Sequence, residues 1–140
     1  MNNSPIIIVD ADAIVAQASQ NDNLHDKAVA ISEKLAQLNA QIFYPVTAIT
    51  EATTHIQRVL SSGATAYGTA MIFANPNINV IEVNQDTIKN AIKFFSPNTS
   101  KKNTLYDCII ATIAKEYKAD AIFSFDKFYK KNGFKLASEL

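Results

Sequence analysis

The sequence contains little of what would mark a secreted or membrane-bound protein. Its one cysteine, Cys108, cannot form an internal disulfide, so we interpret it as a small core residue in a reducing cytoplasm. The apolar run Ile6–Val9 is far too short to span a bilayer, and no basic stretch precedes it as in a signal peptide. Repeats, low-complexity tracts and convincing linkers are also absent. With 48% hydrophobic and 19% charged residues, we expect one soluble cytoplasmic domain over residues 1–140 with its own core.

Histidine is scarce as well. His25 and His55 are expected on separate helices and lack the HExxH-like spacing of a zinc site, so we interpret both as surface or capping residues. Neither is tied to Cys108 by a recognisable motif, which argues against a catalytic cysteine.

The chain has no net charge, so no global basic field indicates nucleic-acid binding. The distribution is more informative: residues 1–57 hold six acids and two bases, whereas residues 58–140 hold eleven bases and seven acids. The late bases are either a solvated surface or a modest rim that holds phosphates beside an acidic centre. The lysines that we expect to contact a nucleic-acid backbone are Lys101, Lys102, Lys127 and Lys130.

Hydrophobic periodicity predicts strands that alternate with helices. The predicted strands are residues 6–9, 41–44, 79–83, 120–124 and a short last strand at 134–136. The predicted helices are 11–19, 24–39, 48–60, one through 70–73, 85–95, 104–118 and 126–131, and the polar stretch 96–103 is a loop. This alternation predicts an α/β fold, a three-layer α/β/α sandwich with a mainly parallel five-stranded sheet.

Four carboxylates each lie where a strand or loop gives way to a helix: Asp10, Glu51, Asp107 and Asp126. In an open parallel sheet these positions converge on one edge, where ligands bind. Acids brought together there repel each other by roughly 3 kcal/mol per pair at about 5 Å, for an effective dielectric near 20. A divalent cation relieves that repulsion, and oxygen-only ligands favour Mg²⁺ or Mn²⁺. The pattern therefore indicates a metal-dependent nuclease.

Each acid taken alone also has a structural explanation. Asp10 is a candidate helix cap, and Asp107 forms a capping-box pattern with Thr104. Glu51 lies about 130° from the centre of its helix's apolar stripe at roughly 100° per residue, which favours a solvent-facing side chain unless a site forms beyond the sheet edge. Thr47 shares the helix face of Glu51, and Asp12 either extends the acidic cluster or points elsewhere.

The residues around these acids carry a family resemblance. The segments IIIVDADAIVA, VTAITEAT, LYDCIIATIAKEYKADAIFSFDKFYKK and GFKLA resemble a PIN domain of the VapC toxin type, and the resemblance extends over essentially the whole chain. It implies a parallel α/β/α sheet domain, Mg²⁺ or Mn²⁺, cleavage of RNA, a small antitoxin partner and a homodimer. The positions that match the family's acids are Asp10, Glu51, Asp107 and Asp126, with Thr47 or Ser124 as polar companions.

In the mechanism that this resemblance implies, water attacks a phosphodiester in line. Asp10, Asp107 and Asp126 hold the cation directly or through water. Glu51 holds a metal-bound water or acts as the base. The chain departs from the family at Asp12, where relatives commonly carry a small neutral or amide residue, and in the longer, more polar loop 96–103.

Two other functions start from the same residues. Asp10-Ala-Asp12 after a strand resembles the nucleophile motif of haloacid-dehalogenase-type phosphatases, but the later paired-acid motif of those enzymes is missing. A PIN-like domain that binds RNA or protein without cutting is the non-enzymatic alternative. A group of aromatic residues is able to stack on bases, although we expect most of them in the core: Phe94, Phe95, Phe128, Tyr129 and Phe134.

Overall fold

The computed structural model describes residues 4–140, so the first three residues of the predicted 1–140 domain lie outside the described part. Its sheet consists of β1 (Ile6–Val9), β2 (Gln41–Pro45), β3 (Val80–Ile81) and β4 (Ala121–Phe123). The strand order is β3-β2-β1-β4, and every neighbouring pair is parallel. The prediction of an α/β fold with a parallel sheet flanked by helices is confirmed.

Helices follow or precede each strand, as the periodicity predicted. They are α1 (Ala11–Ala18), α2 (His25–Gln37), α3 (Val46–Arg58), α4 (Gly63–Phe73), α5 (Gln85–Ala91), α6 (Leu105–Glu116) and α7 (Phe128–Lys131), with 3-10 turns at Ile92–Phe94 and Ala137–Glu139. Helix α1 packs on α2 and α3, α3 packs on α4, and α5 packs on α6. None of the helices described in residues 4–140 has the length and apolar character needed to cross a membrane.

The centre of the core is β1, between β2 and β4. Ile7, Ile8 and Val9 are fully buried, and Ile8 pairs with Phe43 of β2 and Ile122 of β4. A strand covered on both faces has no polar alternation, which is why β1 is a continuous aliphatic run. As the sequence predicted, Cys108 is a buried thiol of this core.

The predicted fifth strand at residues 134–136 is wrong. The sheet in residues 4–140 has four strands, and Leu136 contributes only a single parallel bridge to Ile122. The N–H of Phe134 donates to the carbonyl of Tyr129 (2.9 Å) after Gly133 reverses the chain at φ +89, and the N–H of Leu136 donates to Glu139 Oε1 (3.0 Å). Because both N–H groups are bound locally, they are not available for a ladder.

The parallel arrangement brings three strand ends to one edge of the sheet. β1 is followed at once by Asp10, β4 by Ser124, and β2 by the first turn of α3. Helix α6 begins beside the same edge, because the hydroxyl of Tyr129 joins its Asp107 to Asp10. Residues that are far apart in sequence therefore meet at this edge.

Candidate active site

Asp10 lies at the centre of the edge and is only 4% exposed. Its Oδ1 accepts the N–H of Ala11 (2.7 Å) and so caps α1, and its Oδ2 accepts the hydroxyl of Tyr129 (2.6 Å). Burial, followed by the charge of Asp12, raises the pKa of Asp10 well above its ordinary value, although the Tyr129 hydrogen bond opposes the rise. Asp10 therefore caps α1 and also lies in the cluster of acids.

Asp12 belongs to the same cluster rather than pointing elsewhere. Its Oδ2 accepts the N–H of Phe125 (2.8 Å) and the hydroxyl of Ser124 (3.0 Å). Its Oδ1 is buried and has no hydrogen-bond partner in the part of the chain described. Burial raises the pKa of Asp12 to about 6, against the opposing effect of the Phe125 and Ser124 hydrogen bonds. One carboxylate oxygen thus lacks the partner that a buried polar atom requires.

Ser124 connects the acids at the end of β4. It is 2% exposed, and its hydroxyl lies 3.0 Å from Asp12 and 3.4 Å from Asp10. The same oxygen accepts the N–H of Asp126 (3.1 Å). Since a hydroxyl has one proton, the shorter contact to Asp12 is the stronger hydrogen bond. Ser124 therefore positions three of the acids.

The two late acids are joined by Asn103. Its amide donates to Asp126 Oδ2 (2.9 Å) and approaches Asp107 Oδ2 (3.4 Å), which also accepts the N–H of Thr104 (3.0 Å) in the predicted capping box. Asp126 Oδ1 accepts the N–H of Phe128 (2.9 Å). Burial raises the pKa of Asp107, the Thr104 N–H lowers it, and the charge of Asp126 raises it again. A neutral amide thus bridges two carboxylates that repel each other.

Tyr129 joins the early acids to the late ones. Its side chain is fully buried, and its hydroxyl lies 2.6 Å from Asp10 and 3.4 Å from Asp107. Burial first, and then the charge of Asp10, raise the pKa of the phenol well above its ordinary value, so it remains a proton donor. The ring is in the core, as expected for most of the aromatic candidates, and is not available to stack on a base.

Glu51 faces the cluster from α3. Its side chain is half-buried, and within residues 4–140 its carboxylate accepts no hydrogen bond. Burial, then the charges of Asp107 and Asp12, raise the pKa of Glu51 to about 7. It lines a cavity of about 240 Å³ together with Asp12, Asp22 and His55. The side chain is therefore neither fully exposed nor part of the core, and it lies beside Asp12, as the alternative of a site beyond the sheet edge requires.

Thr47 lies one turn before Glu51 on α3. Its Oγ1 is buried and, in the described residues, has no hydrogen-bond partner. Of the three predicted polar companions, Ser124 bonds to both Asp10 and Asp12. Thr47 differs from the other two, because its hydroxyl has no partner in the described residues. Two unsatisfied oxygens, one on Thr47 and one on Asp12, thus border this edge.

The four predicted lysines lie on the surface, and within residues 4–140 none of them forms an ion pair with an acid of the cluster. Lys130 pairs with Glu139 (3.7 Å), and this is the one ion pair found within residues 4–140. Lys101 borders an apolar surface depression beside Phe95. The acids of the cluster therefore have no cationic side chain paired with them in the described part of the chain.

Sequence reasoning missed the parts played by two residues. Tyr129 was interpreted as an aromatic core residue, and only its position three residues after Asp126 indicated a link to the site. Asn103 was assigned to a polar loop, although it directly precedes Thr104 and the capping box of Asp107. Tyr129 bonds to Asp10 across 119 positions and Asn103 bonds to Asp126 across 23 positions. Hydrophobic periodicity, which depends on near neighbours in sequence, does not predict such contacts.

The donor set consists of oxygen atoms. Carboxylates, a serine and a threonine suit hard cations such as Mg²⁺ or Mn²⁺, and the free buried Asp12 oxygen is a position that a cation would satisfy. The described residues do not form a ready-made group of three or more acid, histidine or cysteine ligands. This fits an ion held by one or two carboxylates, with water completing its coordination.

The comparisons with known proteins agree with this geometry. The sequence model of the PIN domain family matches residues 7–135. The fold is similar to that of VapC20 from Mycobacterium tuberculosis, a toxin that cleaves the sarcin-ricin loop, with a TM-score of 0.78 and 16% identity over 91% of this chain and 95% of that one. It is also similar to VapBC2 from Rickettsia felis, bound to a DNA fragment from their promoter, with a TM-score of 0.62 and 15% identity over 94% and 96%.

A comparison with curated proteins finds no match. The resemblance to a PIN domain is confirmed, and the likeness to the two solved structures shows the fold. Since the family model extends over nearly the entire length of the sequence, this chain belongs to the PIN domain family.

Proposed function

We propose that the chain is a Mg²⁺- or Mn²⁺-dependent endoribonuclease that hydrolyses RNA phosphodiester bonds, with residues 1–140 acting as one PIN-like domain. The observation that carries this proposal is the convergence of Asp10, Glu51, Asp107 and Asp126, from four separate segments, at one edge of a parallel sheet. Four acids without a paired cation repel each other unless a bound ion compensates them.

Asp10, Asp107 and Asp126 are the residues that would hold the ion, one or two of them directly and the others through water, and the free oxygen of Asp12 is a further donor. When bound, a divalent cation polarises the phosphoryl oxygen and lowers the pKa of water. Ser124 and Asn103 keep the acids in place, and Tyr129 holds the proton that orients Asp10. Each of these bonds is made within the chain itself, so folding preorganises the acids.

Glu51 is the residue that takes the proton from the attacking water or orients that water. Its carboxylate accepts no hydrogen bond within the described residues and borders an open cavity, so water has access to it. Burial beside Asp12 and Asp107 makes it a stronger base than an exposed glutamate. The lysines Lys101, Lys102 and Lys127 are candidates to contact the RNA backbone, whereas Lys130 already pairs with Glu139.

We also propose that the chain acts as the toxin of a toxin–antitoxin pair, with a small antitoxin protein as its partner. The support is the similarity of the fold to a toxin and to a VapBC complex. Within residues 4–140 the acids of the cluster have no paired cationic side chain, so a basic antitoxin segment would fit them.

A second copy of the chain is the partner that we propose for α4. This helix contains no charged residue, and Tyr67, Met71 and Ile72 on it are 70%, 58% and 61% exposed. A two-fold axis brings each surface against itself, so a neutral apolar face avoids the like-charge repulsion that a charged face would create. Sedimentation velocity of the purified protein measures this directly, and a monomer at micromolar concentration would contradict it.

Cleavage assays with purified protein test the reaction. We expect wild-type protein to cut RNA with Mn²⁺ and not with EDTA, and Asp10→Asn and Asp107→Asn to lose at least about 100-fold in rate. Both amides keep the size of the side chain, so circular dichroism should show folded proteins. Asp86→Asn, an exposed acid in the first turn of α5, is the matched control.

Full activity in both Asp10→Asn and Asp107→Asn would rule out this mechanism. A wild-type protein that binds RNA but never cuts it would instead favour the non-catalytic PIN-like alternative.

A further inference from the structure

A second cavity adjoins the candidate active site on the far side of Glu51. Its volume is about 330 Å³, and it shares Glu51 and His55 with the cavity that contains Asp12. Its outer end is formed by Arg58 of α3 and Tyr106 of α6. We refer to Glu51, His55, Arg58 and Tyr106 as the α3 groove. This groove begins at Glu51 and extends along α3 to Arg58.

The walls of the α3 groove are fixed relative to the acids. Glu51, His55 and Arg58 fall within about 60° of one another on α3, at roughly 100° per residue, so they form a stripe along one face of the helix. Tyr106 directly precedes Asp107 in α6. A ligand in the groove is therefore positioned by the same two helices that carry two of the acids.

The outer end of the groove combines a free cation with an exposed ring. Arg58 is the only arginine in the sequence, and in residues 4–140 its guanidinium forms no ion pair or hydrogen bond. A guanidinium matches the geometry of a phosphate through two parallel N–H donors. Tyr106 is 44% exposed, and the residues around this end include no acid other than Glu51. A flat aromatic ring stacks on any base.

We propose that the α3 groove binds the RNA strand beside the bond that is cut, with Arg58 on a backbone phosphate and Tyr106 stacked against a base. This inference rests on the proposed ribonuclease function and adds the path of the RNA strand along α3. Arg58 lies roughly 10 Å from Glu51 along the helix at about 1.5 Å per residue. That distance accommodates about three stacked nucleotides at roughly 3.4 Å each. A guanidinium that pairs with a phosphate and a ring that stacks on a base match the two repeating parts of a nucleotide strand.

Fluorescence anisotropy with a labelled single-stranded RNA of mixed sequence, in EDTA so that no cleavage occurs, tests the groove. We expect Arg58→Ala to weaken binding and to reduce the slope of log affinity against log salt by about 0.7. Arg58→Lys should keep that slope while losing affinity, because an ammonium lacks the fork of donors. Tyr106→Ala should weaken binding by about 5- to 150-fold, whereas Tyr106→Phe should keep most of it.

Lys34→Ala, which removes an exposed charge from the last turn of α2, is the control for charge alone and should bind RNA nearly as wild type. RNA affinity unchanged in both Arg58→Ala and Tyr106→Ala would overturn the proposal and leave the groove for a protein ligand. A parallel assay with Mn²⁺ separates this result from failure of the reaction. If wild-type protein cuts RNA while both variants bind it normally, only the proposal for the α3 groove is refuted. If wild-type protein binds RNA through the groove but does not cut it, only the proposed cleavage reaction is refuted.

Discussion

The acid cluster has two walls that are held in different ways. On the wall that we call the bonded wall, every carboxylate accepts hydrogen bonds from the chain: these acids are Asp10, Asp12, Asp107 and Asp126. On the open wall, α3 presents Glu51 and Thr47, whose side-chain oxygens have no hydrogen-bond donor or acceptor within the described residues. Folding therefore fixes one wall and leaves the groups of the other available to water, an ion or substrate.

The two walls also differ in the free-energy cost of charging their carboxylates. A buried carboxylate that lacks hydrogen bonds is costly when it is charged, which is why burial raises the pKa of Glu51 to about 7. On the bonded wall, N–H and O–H donors oppose part of the same effect at Asp12 and Asp107. We therefore expect removal of the Glu51 carboxylate to affect activity without loss of stability, and removal of a hydrogen-bond donor from the bonded wall to affect stability.

The largest expected effect is the loss of activity in Glu51→Gln. General base catalysis contributes about 100- to 10,000-fold, so we expect a loss of that order in single-turnover RNA cleavage with Mn²⁺. No hydrogen bond of the described residues is broken, so the protein should remain folded. The exposed Glu33→Gln on α2 is the control. Activity within a few-fold of wild type would remove Glu51 from the reaction.

The next effect is a loss of stability in Tyr129→Phe. This change keeps the buried ring and removes the hydroxyl that donates to Asp10 (2.6 Å). Leaving a buried acceptor without its donor costs about 1–3 kcal/mol, measurable by urea unfolding in EDTA. Tyr67→Phe removes a hydroxyl from a side chain that is 70% exposed, and we expect little change there. Equal stability of the two variants would show that the Tyr129 bond does not hold the bonded wall.

The smallest effect is a pH dependence of stability without metal. The pKa values of Glu51 (about 7) and Asp12 (about 6) exceed those of the unfolded chain, near 4, so the folded protein binds these protons more tightly. The stabilisation is complete below about pH 4 and is lost as the pH rises through 6 and 7. We expect a lower Tm at pH 8 than at pH 5 in EDTA.

Glu51→Gln sharpens this measurement, because it removes one of the two groups. Its Tm should exceed that of wild type at pH 8 and equal it at pH 4. A wild-type Tm that rises from pH 5 to pH 8 in EDTA would contradict the direction of both pKa shifts.

Much of the fold was predictable because it depends on local patterns. The aliphatic run before Asp10 predicted a buried strand, and the alternation of elements predicted a parallel sheet with the acids at one edge. The fifth strand was not predictable, because the N–H groups of Phe134 and Leu136 bond to Tyr129 and Glu139, which the strand-like pattern of residues 134–136 does not reveal.

The site was predictable in its acids and not in the groups that hold them. Asp10 and Asp126 adjoin strands, which periodicity detects, whereas the bond between Tyr129 and Asp10 spans 119 positions. The orientation of Glu51 depends on where α3 packs against the rest of the fold, so the helical wheel alone left two alternatives open, a solvent-facing side chain and a place in a site beyond the sheet edge. Local patterns therefore identify the candidate acids, and only the tertiary structure reveals which neighbours orient them.

The Tyr129 hydroxyl also decides how two of the acids differ. This group carries a single proton, and two carboxylates from different elements, Asp10 after β1 and Asp107 in α6, lie within reach of it. The contact to Asp10 (2.6 Å) is shorter than that to Asp107 (3.4 Å), so Asp10 receives the proton. Oδ1 of Asp107 is left with the weaker contact and therefore stays open to another donor or to an ion.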